Sequence, residues 1–299
     1  MSSGPADDVR MATPALTEEP AQRTRRRRDE HTAGPLTYVV LGLTALLFLF
    51  PFYYSLVAGS HSPSDLYDGT PPLLPGPQLF ENMRLALEQA DLFAALGRSL
   101  VVALAVTATT IFFCTLAGFA FAKARFRGRN ALFGITVATL TIPPTLSIIP
   151  LYVVMTRLGL VNNLLSVILP GAVTAFGVFF MRQFISQALP DELIEAARMD
   201  GASMNRTVFS IVFPLARPGM AVLGILAFMT AWNDFLWPFI VVRQSPTIQV
   251  AVAGIGAGYT PDISVILAGT VIATIPLLVV TAIFGRQIVG GITAGAVKG

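Results

Sequence analysis

Long apolar runs separated by short polar or basic stretches set the pattern of this chain. Six are long enough to cross a bilayer core as helices, which takes about 20 residues each: 36–57, 98–122, 131–155, 164–184, about 218–242, and 263–288. Pro143, Pro144 and Pro150 interrupt the third. Residues 58–97 are polar, with an irregular start at Pro71, Pro72, Pro75 and Pro77 and a short helix predicted over 81–96. Residues 1–34 have almost no large apolar side chains and predict a disordered tail. The tail is too long and mixed for a signal peptide, so it reads as a retained cytosolic segment ahead of a membrane domain at 35–299.

One polar stretch stands out between the fourth and fifth runs, LPDELIEAARMDGASMNRTVFSIVFPLARPG at 189–219. Pro190 suits a helix start, and Asp191 and Glu192 put negative charge at the positive end of the helix dipole. Gly201 is the residue type that ends a helix, and a second helical stretch is predicted over 203–210, before Pro214. The segment is nearly charge-balanced and tied to a bilayer, which excludes the DNA-reading sense of a helix–turn–helix.

Composition agrees with the pattern. The chain is 54% hydrophobic and 12% charged, against about 25% charged in a typical soluble domain, and its mean hydropathy is +0.69. A single cysteine, Cys114, excludes an intrachain disulfide framework and a cysteine metal cluster. His31 and His61 lie outside the apolar runs, and no metal site is predicted. The pI near 9.3 owes much to Arg23 and Arg25 to Arg28 beside the first span, where they orient it instead of binding nucleic acid. With the N-terminus inside, every Lys and Arg except Arg84, Arg98, Arg157 and Arg243 falls on the inner side. The expected architecture is all-α, with six transmembrane helices, both termini inside and the 186–217 loop in the cytoplasm. No internal repeat is found, which weighs against many secondary transporters.

Candidate chemistry is sparse. The phosphate-cradling motif needs Lys before Ser or Thr, whereas Lys123 and Lys298 precede Ala and Gly. The chain cannot hydrolyse ATP by that route. The fifth run contains Trp232-Asn233-Asp234-Phe235-Leu236-Trp237-Pro238. A carboxylate deep in a bilayer costs about 2.5–3.5 kcal/mol, so Asp234 should face a partner helix or a wet cavity. Two readings stay open: a sugar pathway, with rings stacking on apolar sugar faces, or packing in an interfacial aromatic belt. Pro143 and Pro144 likewise suit either a cavity-lining break or a kinked packing helix.

Glu195-Ala196-Ala197, three residues, Gly201, nine residues, Ile211, one residue and Phe213-Pro214 resembles the EAA loop of ABC importer permeases, with Phe213 where the family has Leu. The segment 119–128, Ile142-Pro143, Pro150-Leu151-Tyr152, Leu158-Gly159-Leu160, Trp232-Asn233-Asp234-Phe235 and 291–299 resemble the carbohydrate-uptake branch, in particular the second permease of maltose-type importers. The resemblance covers 36–299. It implies a bacterial cell-membrane subunit that pairs with a second permease, two cytosolic ATPases using ATP and Mg, and an extracytoplasmic sugar-binding protein. The chain itself would hold no cofactor and no catalytic residue. Glu195, Ala196, Ala197, Asp200 and Gly201 would dock the ATPase as a rigid lever, the two alanines entering a groove and Glu195 pairing with Arg198 at its rim. Trp232, Asn233 and Asp234 would line the substrate pathway. The tail at 296–299 would reach the ATPases, and the loop at 243–262 would face the binding protein. The rivals are an ABC permease for another solute, such as a polyamine or phosphonate, an ion-coupled carrier or channel, and an integral-membrane enzyme. The ion-coupled reading wants several embedded charges facing one another, whereas Asp234 is essentially alone; the enzyme reading wants a reactive cluster that the chain lacks.

Overall fold

Prolines and a few residues of positive φ, Asp91 and Gly201 among them, mark several of the points where the described helices stop. The computed structural model describes residues 34–67, 70–257 and 262–296, with side chains as far as 285. Residues 1–33 of the tail predicted at 1–34, the C-terminal 297–299 and part of the 243–262 loop lie outside the described residues. The chain divides into two units, 1–50 and 51–299. Of the first, the described part is the start of α1 (Pro35–Ala58), an apolar helix that runs across the division with Pro51 inside it.

The second unit continues with α2 (Pro63–Tyr67), α3 (Leu79–Gln89) and α4 (Leu92–Lys123). Asp91, at φ 45°, separates α3 from α4, so the helix expected over 81–96 is two elements. Next come α5 (Arg129–Ala138), running into a 3-10 turn to Thr141, and a second 3-10 turn at Pro144–Ser147 leading into α6 (Ile148–Arg157). The two halves meet at 99°, a break far sharper than a kink. Consecutive prolines cause it: neither Pro143 nor Pro144 has an N–H to donate, and each disfavours helix in the residue before it. The fourth run is α7 (Leu165–Gly171) and α8 (Ala175–Ala188), with Thr174 capping α8 by accepting from the Gly177 N–H at 3.0 Å.

The polar stretch forms α9 (Asp191–Met199) and α10 (Met204–Thr207). Contrary to the sequence reading, α10 does not stop before Pro214. It passes through a π turn at Val208–Val212 straight into α11 (Phe213–Asn233). The π turn explains this: Phe213 N–H bonds the Val208 carbonyl, so the ladder is already shifted where Pro214 has no donor to give. The fifth run also ends early, at Asn233, and resumes as α12 (Leu236–Val241). Then come α13 (Ile248–Ile255) and α14 (Ile263–Ala296). Among the described residues, five helices are long and apolar enough to cross a membrane, or six if the bent pair counts as one span.

Helix α4 is the central post, packed along α8 and α11. Small residues let it come close. A Cβ on Gly118 would stand 2.8 Å from the Arg182 backbone N, and one on Gly177 would stand 2.7 Å from Cys114 Sγ. The segment expected to be an outer loop instead carries α13, tied to α4 by the Ile248 N–H to Ser99 Oγ (2.7 Å) and Arg98 Nε to the Pro246 carbonyl (2.9 Å). Ile248, Ala251 and Val252 enter one core cluster with Leu92, Trp232 and Val265. A second cluster joins Phe119, Met181 and Ile185 to Ile194 of α9.

At the same end, Lys123 Nζ reaches Asp191 Oδ1 at 2.7 Å and pins the last residue of α4 to the first turn of α9. The ammonium's hydrogen bond holds the Asp191 carboxyl below its ordinary pKa. A lowered folded value means the bridge contributes fully above the ordinary carboxylate pKa and is lost as pH falls through the folded one.

Two outcomes follow for the purified protein. Gly118→Val drives a side chain into backbone and should cost about 1–3 kcal/mol in thermal unfolding, whereas Gly134→Ala, which meets nothing within 4 Å, should not destabilise. Asp191→Asn should lower the unfolding temperature at pH 7, with the difference from the parent shrinking on acidification below about pH 4.

Candidate functional site

The first site is the polar turn. Pro190, at φ −61° and ψ 144°, presents α9 with its first-turn acids forward. Ile194 and Ala197, one helical step apart, face inward and are buried. Glu195, Ala196 and Asp200 are exposed on the other side. So are Leu193 and Met199, the latter 88% exposed, an unusual position for a long apolar side chain on a polar helix. Gly201, at φ +72°, closes α9: its N–H bonds the Arg198 carbonyl (3.0 Å) and the Ala202 N–H bonds the Ala197 carbonyl (2.9 Å), a Schellman pair. Ser203 then caps α10 by accepting from the Arg206 N–H at 3.3 Å.

Of the predicted docking residues, four therefore stand outward or in the turn, and Ala197 is turned into the chain's own core. Glu195 and Arg198 are not among the ion pairs of the described residues. Sequence reasoning did not name Leu193, Met199 or the Lys123–Asp191 bridge. Met199 was legible in principle, since it lies off the Ile194–Ala197 stripe, whereas Leu193 stands one turn before Ala197 and its exposure was not.

The second site is a cavity of about 750 Å³. Three interruptions of membrane-length helices meet around it: Pro144–Thr145 between α5 and α6, Gly171–Thr174 between α7 and α8, and Asp234–Leu236 between α11 and α12. Non-helical backbone at membrane depth is tolerated where it is buried in protein or lines such a space. Proline chemistry again sets the geometry. Pro238 has no N–H to offer the Asp234 carbonyl four residues earlier, and α11 ends there. Pro170 likewise leaves the Ser166 carbonyl without its helical donor, and the Trp237 indole N–H fills that place at 2.9 Å. This bond fixes Trp237 at the cavity wall.

The three predicted pathway residues separate. Asp234 is half-buried and lines the cavity with Thr230, Thr145, Ser147 and Trp237. Trp232 is 2% exposed, stacks on Phe228 at 5.8 Å and donates to the Ala273 carbonyl, inside the core. Asn233 is exposed and donates to the Met229 carbonyl at 2.9 Å, completing its own helix end. The ring beside the carboxylate is thus Trp237 and not Trp232. One carboxylate, several hydroxyls and an apolar wall can hydrogen-bond a polyhydroxylated solute. Among the described residues no group of three or more His, Cys, Asp or Glu is placed to hold a metal.

Comparison with known proteins gives this arrangement its context. Residues 114–293 match the family described as binding-protein-dependent transport system inner membrane component. The chain is 34% identical to the lactose transport system permease protein LacG of Rhizobium radiobacter, over 87% of this chain and 95% of that one. It is 32% identical to the arabinooligosaccharides transport system permease protein AraQ of Halalkalibacterium halodurans, over 92% and 100%. It is also 32% identical to the sn-glycerol-3-phosphate transport system permease protein UgpE of Yersinia pestis, over 85% and 94%. In fold it is similar to a chain of a bacterial ABC transporter involved in the import of the acidic polysaccharide alginate, with a TM-score of 0.73 and 24% identity over 84% of this chain and 94% of that one. The sequence match spans the turn, the cavity-lining helices and the helix between them, and on it this chain belongs to the family of binding-protein-dependent transport system inner membrane components.

Proposed function

We propose that this chain is a permease subunit of an ATP-driven sugar importer, moving a mono- or oligosaccharide inward by alternating access. One observation carries the reading. An unbroken helical run of 30 residues, Met204–Asn233, begins at the exposed turn and ends at the cavity carboxylate. At 1.5 Å per residue it is a rod of about 45 Å. A displacement of α9 is passed through Ile194 and the shared core to this rod, and so to Asp234.

In this reading α9 and both termini lie in the cytoplasm, as the distribution of Lys and Arg favours. Partner ATPases bind ATP and Mg, and the outward face of α9 is their dock. Leu193 and Met199 supply apolar anchors, Glu195 and Asp200 the polar rim, and Ala196 the close approach. Ala197 and Gly201 hold the shape of the lever. A second permease completes the pathway, and an extracytoplasmic binding protein delivers solute. This chain binds no cofactor and makes or breaks no bond.

The sugar assignment rests on the lactose and arabinooligosaccharide relatives and on the cavity. Sugar hydroxyls donate to the Asp234 carboxylate and exchange hydrogen bonds with Thr230, Thr145 and Ser147, while the Trp237 ring supplies an apolar face. A phosphorylated polyol is the second reading, from the glycerol-3-phosphate relative. The cavity lining opposes it, holding a carboxylate and no Lys, Arg or His.

Met199→Asp should weaken co-purification of the ATPase by tenfold or more, about 1.4 kcal/mol or above, with unchanged unfolding temperature. Gly201→Val forces a branched side chain into the left-handed region at a cost of about 1–2 kcal/mol and should uncouple ATP hydrolysis from uptake in proteoliposomes. Normal ATPase retention and normal coupling in both variants would remove the docking assignment. Asp234→Asn should change the apparent affinity or rate of sugar uptake while assembly stays intact; identical transport kinetics would return Asp234 to a packing role.

A further inference from the structure

The turn Lys123-Ala124-Arg125-Phe126-Arg127-Gly128-Arg129 carries four cations in seven residues and no acid. It links α4, which stops at Lys123, to the bent pair, which starts at Arg129. Both neighbours are apolar and of membrane-spanning character, so the turn sits at a bilayer surface. Gly128, at φ +82°, reverses the chain. Residues 125–131 then wall an open depression of about 610 Å³.

The four cations are not equivalent. Lys123 is neutralised by Asp191, and Arg129 donates to the Ala124 carbonyl at 3.2 Å and to Asn130 Oδ1 at 3.4 Å. Arg125 and Arg127 are exposed and belong to no ion pair among the described residues. The Asp191 carboxylate feels Arg125, but its bond is with Lys123. Between the two free guanidinium groups Phe126 is 43% exposed, its ring 6.3 Å from that of Phe121.

We propose that this turn is a docking surface for the headgroup of an anionic phospholipid, with Arg125 and Arg127 on the phosphate and Phe126 at the headgroup–acyl boundary. The planar guanidinium fork matches phosphate oxygens two at a time. An aromatic ring held at interface depth beside a basic pair fits a lipid, which has an apolar part, better than a free anion or an acidic protein surface. The inference is independent of which solute is carried.

The test uses the full chain assembled with its partner subunits in detergent, with fluorescent phosphatidylglycerol as probe and phosphatidylcholine and inorganic phosphate as the other arms. The expected result is preferential binding of phosphatidylglycerol that weakens as salt rises. The double variant Arg125→Gln/Arg127→Gln should weaken it about thirtyfold, ~1 kcal/mol for each arginine, and Arg125→Lys/Arg127→Lys should restore part of it. An unchanged unfolding temperature separates this from misfolding. Equal binding of the two lipids, or an unaltered affinity in the Gln variant, overturns the proposal. Displacement by inorganic phosphate at the lipid's own concentration would make the turn a free-anion site instead. Loss of ATPase co-purification with lipid affinity intact would make it a protein contact.

Discussion

The bare-backbone contact between α4 and α8 is the constraint on which the remaining packing depends. In a bilayer, apolar side chains gain little by leaving lipid for one another, so helices hold together through close fit and interhelical hydrogen bonds. At Gly118 and Gly177 the fit reaches the main chain itself. Thr110 of α4, whose hydroxyl donates to the Gly171 carbonyl at 2.8 Å, adds a hydrogen bond to the end of α7, just before α8 begins. Because α4 also carries α11 and, through Ser99 and Arg98, α13, fixing it against α8 fixes the walls of the cavity and the floor on which α9 rests.

From that post the two candidate sites are tied together. Ile194 anchors α9 in the cluster shared by α4, α8 and α11, and the Lys123–Asp191 bridge locks its first turn. The polar turn is therefore not a loose connector. It is a short helix closed by Gly201, with an exposed outward face and an inward face packed through Ile194 on the core shared with the helix that ends at Asp234. In the proposed docking reading such a contact asks little of any one side chain, because the helix backbone would carry the displacement.

Much of the architecture was legible in the sequence. Apolar runs of about 20 residues announce spans whatever packs against them, and Pro190, Gly201 and the first-turn acids of α9 carry local backbone preferences that tertiary contacts did not override. The failures share a cause. Hydropathy sees composition and not direction, so it could not tell that Pro143-Pro144 turns the chain by 99° or that Pro214 is absorbed by a π turn while Pro238 ends α11. Prolines announce an interruption, but whether the chain bends, shifts its ladder or stops depends on neighbouring donors. The same limit applied to side chains. Trp232 and Trp237 look alike in sequence, five residues apart. The distant carbonyls of Ala273 and Ser166 decide that one belongs to the core and the other to the cavity.

The three helix breaks that ring the cavity have a consequence for how such a chain diverges. Where a helix is interrupted, main-chain carbonyl and amide groups lose their internal partners and turn their dipoles toward the space they border. That polarity is inherited with the fold and cannot be removed by exchanging side chains. On the proposed pathway reading, selectivity would change through side chains such as Thr230 or Thr145, while the main-chain groups at the breaks stay in place. On that reading a lineage built on this scaffold changes its cargo while keeping the same main-chain groups at the cavity wall.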